Sequence, residues 1–256
     1  MADVKHVVLL HGWGLNSAIW NDFAHSLRSA RPGLVVHQLD LPGYGHNADL
    51  PSSSSLIESS QACLSQAPEQ ALWVGWSLGG LLAMQAALLE SARVQGLQLI
   101  SCTPKFTSSA DWLNGVDLTI FKRFCDELAN DYQKALTKFL LLQAGSNKGA
   151  RDLAQTAHAS ICQLPAPDVK TLGDGIECLA KHDLRKQLAN VSVPTQVVSG
   201  RLDRVTNPQS SRFLASELRT EHVELHCGHA PFITHQAATL NALLRLLERV
   251  EQGLPQ

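Results

Sequence analysis

The stretch from Ala71 to Leu89 constrains the fold of this 256-residue chain more than any other. Ala71-Leu72-Trp73-Val74 is a short, continuous apolar run, and Leu78 to Leu89 is a helical pattern rich in Ala and Leu. Between them stands Gly75-Trp76-Ser77-Leu78-Gly79. A serine that leaves a strand and enters a helix in one step needs a very sharp turn. Glycines on either side let the two backbones approach. The helix N-terminus behind Ser77 then favours negative charge beside its hydroxyl. By composition alone the pentapeptide is expected in about one such chain in ten. Its weight comes from the strand before it and the helix after it.

The same alternation runs through the first half. His6–Leu10, Leu34–Leu39, Ala71–Val74 and Leu97–Ser101 read as buried strands. Asn16–Ser29, a segment from Ser52–Ser55 to about Gln66, and Leu78–Leu89 read as helices. Continuous apolar strands separated by helices predict a mostly parallel sheet covered on both faces. From about Lys105 to His182 the patterns are helical only: Asp117–Ala129, Asp131–Ala144, Lys148–Gln163 and Asp168–Leu179. Strands resume at Val193–Val198 and Glu221–Leu225, and Ala237–Gln252 closes the chain as a helix. The expected division is a core of residues 1–106 and 183–256 with an all-helical lid at 107–182.

A serine hydroxyl is a poor nucleophile until a base takes its proton and a third group orients that base. In a strand–turn–helix arrangement of this kind the partners follow as acid, then histidine. Asp203 lies just past a strand end in Val198-Ser199-Gly200-Arg201-Leu202-Asp203, and His229 sits in Cys227-Gly228-His229-Ala230-Pro231-Phe232 after the last strand. His222 and His226 fall within or at the end of that strand, and His235 starts the closing helix. Asp40 precedes Ser77 and is expected to hold the Pro42-Gly43 turn. Ser77, Asp203 and His229 are therefore the candidate catalytic residues. Acyl transfer also needs two backbone N–H groups for the developing oxyanion. Leu78 is the candidate for one and Trp13, in His11-Gly12-Trp13-Gly14, for the other, with the Trp13 ring expected at the acyl entrance.

Other classes find little support. Net charge is −2, so no global field attracts nucleic acid or anionic membrane. No apolar run approaches a membrane span, and Met1–Lys5 lacks the features of a signal peptide; a cytoplasmic protein is expected. Cys162 and Cys178, the nearest of the six cysteines, are 16 positions apart, too far for a Cys-x-x-Cys motif. No metal or other cofactor is expected.

Leu9-Leu10-His11-Gly12-Trp13-Gly14-Leu15-Asn16, Gly75-Trp76-Ser77-Leu78-Gly79-Gly80 and His229-Ala230-Pro231-Phe232-Ile233 resemble the pimeloyl-[acyl-carrier protein] methyl ester esterase family of biotin synthesis. The likeness extends to Lys138-Phe139-Leu140-Leu141-Leu142-Gln143 and Leu164-Pro165-Ala166-Pro167-Asp168-Val169, and so covers nearly the whole chain. It implies an α/β-hydrolase fold and a serine carboxylesterase acting on the methyl ester of pimeloyl-[acyl-carrier protein], without a cofactor. It also implies substrate contacts at Trp13, Ser77, Leu78, Phe139, Leu140, Leu141, Leu142, Gln143 and His229. Two departures stand out. The leading strand or hairpin of relatives is expected to be shortened or absent before His6, and Gly45-His46-Asn47 stands where many relatives keep a serine after the glycines.

Acyl-carrier proteins are acidic, so docking calls for local basic charge. Between Phe121 and Arg151, Lys122, Arg123, Lys134, Lys138, Lys148 and Arg151 outnumber Asp126, Glu127 and Asp131. Lys134 and Lys138 share a helix face, as do Lys148 and Arg151. The resemblance implies carrier contacts at Lys134, Lys138 and Arg151, with Lys148 completing the patch, whereas Gln155 stands where relatives are often basic. A monomer is expected. The other readings open at this point are a generalist short-chain carboxylesterase or C–C hydrolase of the same fold, and a ligand receptor on the same scaffold.

Overall fold

The computed structural model describes residues 3–117, 119, 123, 126–128, 130–144 and 148–254, without the side chains of 142–144 and 148–150. Six strands form one sheet: β1 (His6–Leu10), β2 (Val35–Leu39), β3 (Ala71–Trp76), β4 (Val94–Ile100), β5 (Thr195–Gly200) and β6 (Glu221–Leu225). Their order is β2-β1-β3-β4-β5-β6 and every pairing is parallel. Side chains alternate between faces along each strand. Val8, Leu10 and Trp73 therefore enter one apolar cluster, and Val7, Leu9, Leu72, Val74 and Trp76 enter the other. Both faces are covered, as continuous apolar strands require.

Helices α1 (Asn21–Ala30), α2 (Leu56–Gln66) and α3 (Leu78–Leu89) follow β1, β2 and β3. Between β4 and β5 come α4 (Tyr132–Ala144), α5 (Lys148–Ile161) and α6 (Val169–Lys181). After β5 come α7 (Pro208–Glu217), the single turn α8 (Pro231–Thr234) and α9 (Gln236–Glu251). Helix α3 is buried on nearly every side, so its sequence is apolar throughout rather than striped. Helix α6 starts where Asp168 accepts from the Thr171 N–H at 2.7 Å.

Three expectations change. The helix expected over Asn16–Ser29 is split: Asn16 caps a 3₁₀ turn at Ser17–Trp20 by accepting from the Ala18 N–H, and α1 begins only at Asn21. The segment after Lys105 is not helical from its start. Bridges Lys105–Asp183, Thr107–Val116 and Ser109–Trp112 tie it into an extended loop. The connection 201–220 between β5 and β6, to which the sequence pattern assigns no element, carries α7, announced by the pair Asn207-Pro208, a side-chain cap followed by proline in the first turn. The expected helix Asp117–Ala129 lies largely outside the described residues, as do Phe121, Lys122 and Cys125. Among the described residues no helix is long and apolar enough to cross a membrane.

Candidate active site

Ser77 sits at the junction of β3 and α3 with φ 56° and ψ −117°. A non-glycine residue there is strained, and the surrounding contacts hold it. Its N–H donates to the Ile100 carbonyl at 3.0 Å, and its own carbonyl accepts from the Gly80 and Leu81 N–H groups. The two flanking glycines are required by space. A Cβ on Gly75 would overlap the Gly79 carbonyl and stand 2.6 Å from the Gly80 Cα. A Cβ on Gly79 would overlap the Leu10 carbonyl and stand 2.6 Å from the His11 carbonyl oxygen. The turn is thus pressed against its own helix on one side and the end of β1 on the other.

Asp203 and His229 are brought into direct contact. His229 Nδ1 lies 2.8 Å from Asp203 Oδ2, and both side chains are buried. The carboxylate accepts three further bonds: from the Val205 and Thr206 N–H groups at 2.7 and 3.0 Å, and from the Thr206 hydroxyl at 2.6 Å. Burial opposes its ionisation, but the adjoining His229 and the Thr206 donors outweigh that, and Asp203 is held below the ordinary carboxylate range. With Nδ1 turned to the carboxylate, the imidazole presents Nε2 as its proton-accepting atom. The His229 backbone is fixed separately: its carbonyl accepts from the Trp76 indole N–H at 2.8 Å, and the two rings lie 5.3 Å apart. Trp76 precedes Ser77 in the chain, so one side chain links the serine turn to the histidine loop.

The loop after β1 is built around a neutral histidine. His11 Nδ1 donates to the Gly12 carbonyl at 2.8 Å, and Nε2 accepts from the Leu41 N–H at 3.1 Å. Burial lowers the His11 pKa despite the nearby Asp40. Asp40 does hold its loop, by reaching across it. Its carboxylate accepts from the Ser17 N–H at 2.6 Å and the His46 N–H at 2.8 Å. The Trp13 ring, expected to line the acyl entrance, is not exposed. It is buried under α6, where its N–H donates to the Leu172 carbonyl at 2.9 Å. Gly175 leaves the room, since a Cβ there would stand 2.5 Å from the ring. Leu78 is buried beside the same cluster at the first position of α3.

The candidate contacts on α4 separate. Leu140 is buried among Leu136 and Ile161, and Phe139 packs partly buried against both clusters. Leu141 is exposed and lines a small cavity between α4 and α5 with Gln155 and His158. The Leu142 and Gln143 side chains lie outside the described residues, as does that of Lys148. Lys134, Lys138 and Arg151 are all exposed. Lys138 pairs with Glu127 at 3.1 Å. Thr206 is not singled out by the sequence reading, although a hydroxyl residue three positions after an aspartate is a recurrent local motif.

A fold of this order, with a strained serine between strand and helix and a buried Asp–His pair, defines a class. The Alpha/beta hydrolase family model matches residues 7–242, and the chain belongs to that family. It is 37% identical over 244 residues to the pimeloyl-[acyl-carrier protein] methyl ester esterase of Klebsiella pneumoniae (strain 342), covering 94% of this chain and 93% of the relative. It is 38% identical over 244 residues to the protein of that name from Salmonella enteritidis, with the same coverage. The fold matches an esterase from Exiguobacterium antarcticum with a TM-score of 0.83 at 20% identity, covering 97% and 93% of the two chains. It also matches the enol-lactonase of Burkholderia xenovorans LB400, with a TM-score of 0.78 at 20% identity and 96% and 92% coverage.

Proposed function

We propose that this protein is a serine carboxylesterase that hydrolyses the methyl ester of pimeloyl-[acyl-carrier protein], releasing methanol and the free carboxylate, in the biotin pathway of the cytoplasm. The observation that carries the substrate is the identity of 37–38% to esterases of that name over 93% of their length. The chemistry rests on the buried Asp203–His229 pair and the turn at Ser77.

In this mechanism His229 Nε2 takes the Ser77 proton as Oγ attacks the ester carbonyl. Backbone N–H groups of Trp13 and Leu78 hold the oxyanion. The tetrahedral adduct collapses, and methanol leaves with the proton returned by His229. Water, deprotonated by His229, then attacks the acyl-enzyme, and Ser77 recovers its proton as the acid departs. Asp203 stabilises the imidazolium in both halves. The fixed donors act where charge develops, which is where preorganised electrostatics contributes most.

Residues 107–182 serve as a helical lid over a core formed by 1–106 and 183–256. Phe139 to Gln143 border the acyl chain on this reading, and Lys134, Lys138, Lys148 and Arg151 receive the acidic carrier, with the enzyme acting as a monomer. The test is turnover of the carrier-borne methyl ester, compared with simple aryl esters. Wild-type protein is expected to release methanol and favour the carrier substrate. Ser77→Ala is expected to retain the fold and lose turnover by at least ~10⁴-fold. Activity in Ser77→Ala comparable to wild type would sink the assignment.

A further inference from the structure

Residues 13–16 form the loop that leaves β1, and three of them, Trp13, Gly14 and Asn16, are hydrogen-bonded from the segment between β4 and β5. The Trp13 indole N–H donates to Leu172 on α6. The Gly14 carbonyl accepts from the Tyr132 hydroxyl, at the start of α4, at 3.1 Å. Leu15 is fully buried in the cluster that contains Leu136, Leu140 and Ile161. The Asn16 side-chain amide donates to the Ile161 carbonyl, at the end of α5, at 3.0 Å. Three helices thus bond to three residues of one four-residue stretch, through partners 118, 145 and 159 positions away.

This arrangement bears on chemistry because the loop carries the Trp13 N–H. A backbone donor stabilises an oxyanion only if its peptide plane is aimed correctly, and the planes of a short loop turn together. Gly14 has φ +75°, so little but its contacts sets the orientation of this stretch. Leu172 fixes the Trp13 ring, and Tyr132 fixes the following carbonyl. Tyr132 is half-buried and packs against both apolar clusters, which leaves its hydroxyl little freedom. Lys134 and Lys138 lie two and six positions along the same helix and face solvent.

We propose that Tyr132 is a positioning residue for the oxyanion-binding N–H of Trp13, acting through the Gly14 carbonyl, and that it ties that N–H to the placement of helix α4. The inference rests on the reading of Ser77 as nucleophile and Trp13 as oxyanion donor. It adds that the lid helix presenting the basic face also sets the geometry of the reacting centre.

Tyr132→Phe tests it, because the ring stays and only the donor goes. Turnover is measured per active site, titrated with a fluorophosphonate, on the carrier-borne methyl ester and on a p-nitrophenyl ester. The expected result is a kcat lower by about tenfold on both substrates with KM within about twofold, since every ester forms the same oxyanion. Affinity for a trifluoromethyl ketone, whose adduct with serine places an oxyanion at the same point, is expected to fall in parallel. An unchanged kcat and ketone affinity overturns the proposal, as does a change confined to KM for the carrier substrate. If Tyr132→Phe folds poorly, Tyr132→Gln and Tyr132→Leu provide the comparison. They are similar in size and only the former keeps a donor, so Gln must exceed Leu in kcat. A wild-type protein idle on the carrier ester but active on the aryl ester overturns the substrate reading alone and leaves this test intact.

Discussion

The Trp76 indole N–H donates to the His229 carbonyl at 2.8 Å, and Trp76 is the residue immediately before Ser77. The spacing between serine turn and histidine loop is therefore set by one buried side chain as well as by the sheet. Phe232 continues the contact, with its ring 5.1 Å from Trp76 and 4.1 Å from Trp20.

Trp76→Phe keeps an aromatic ring but leaves the buried His229 carbonyl without this donor and opens a small void. A lost buried partner and a partly collapsed cavity together cost about 2–3 kcal/mol. Chemical denaturation should report that loss. Steady-state kinetics should report a kcat reduced by about tenfold or more with KM little changed, because the histidine drifts while substrate contacts persist. Equal activity and stability in the variant would mean that the bond does not position His229.

Thr206 is expected to act through Asp203. The folded-state pKa of Asp203 is depressed, so the stability its ionised form contributes is fully present above the unfolded value, near pH 4, and is lost as pH falls through the lower folded value. Thr206→Val removes the 2.6 Å hydroxyl donor and raises the folded pKa towards the ordinary range. A hydrogen bond to a buried charge contributes about 1.5–3 kcal/mol, so the variant should lose about that much at pH 7. The deficit should shrink as pH is lowered below the carboxylate range. A deficit independent of pH from 7 to 3 would place the effect in packing instead.

The glycines of the turn offer a contrast with a glycine that has no such role. A Cβ on Gly79 meets backbone oxygens of Leu10 and His11, which cannot swing aside, whereas one on Gly33 meets nothing within 4 Å. Gly79→Ala is expected to cost about 3 kcal/mol or more and to abolish fluorophosphonate labelling of Ser77, by forcing β1 away from the turn. Gly33→Ala should lie within about 0.5 kcal/mol of wild type by thermal unfolding. Similar stability in both variants would remove the steric account of the turn.

Much of this architecture is legible in the sequence, for a definite reason. Strands buried on both faces are continuous apolar runs, so β1 falls where the pattern puts it and β3 is extended only by Gly75 and Trp76, whereas β6, a half-buried edge strand, shows only Val223 and Leu225 two positions apart. Asp203 and His229 are legible from chain order and from the loops that follow β5 and β6. Helix α7 is harder to see because Gln209, Ser210, Ser211 and Arg212 interrupt its apolar pattern, and its start rests on the Asn207-Pro208 pair alone. The segment 105–116 carries too few apolar residues to show a period, and one of its bridges joins Lys105 to Asp183, far along the chain. The bonds from the Trp13 ring to Leu172 and from Tyr132 to Gly14 join residues more than a hundred positions apart. No local pattern encodes such pairs. They follow from how the helices between β4 and β5 settle on the loop after β1.

The exposed face of α4 gives the last prediction. Lys138 already pairs with Glu127 at 3.1 Å, while the Lys134 ammonium makes no ion pair among the described residues. An exposed pair of this kind contributes little and is readily exchanged, but it does reduce the field that Lys138 presents to an acidic partner. Lys134→Glu should therefore weaken the carrier substrate more than Lys138→Glu. For the double variant, KM for the carrier-borne ester should rise about tenfold or more at low salt and approach wild type near 0.5 M salt, because the interaction is screened. Turnover of a small aryl ester, which carries no acidic partner, should be unaffected. Equal catalytic efficiency of wild type and double variant on the carrier substrate at low salt would exclude this face as the docking surface.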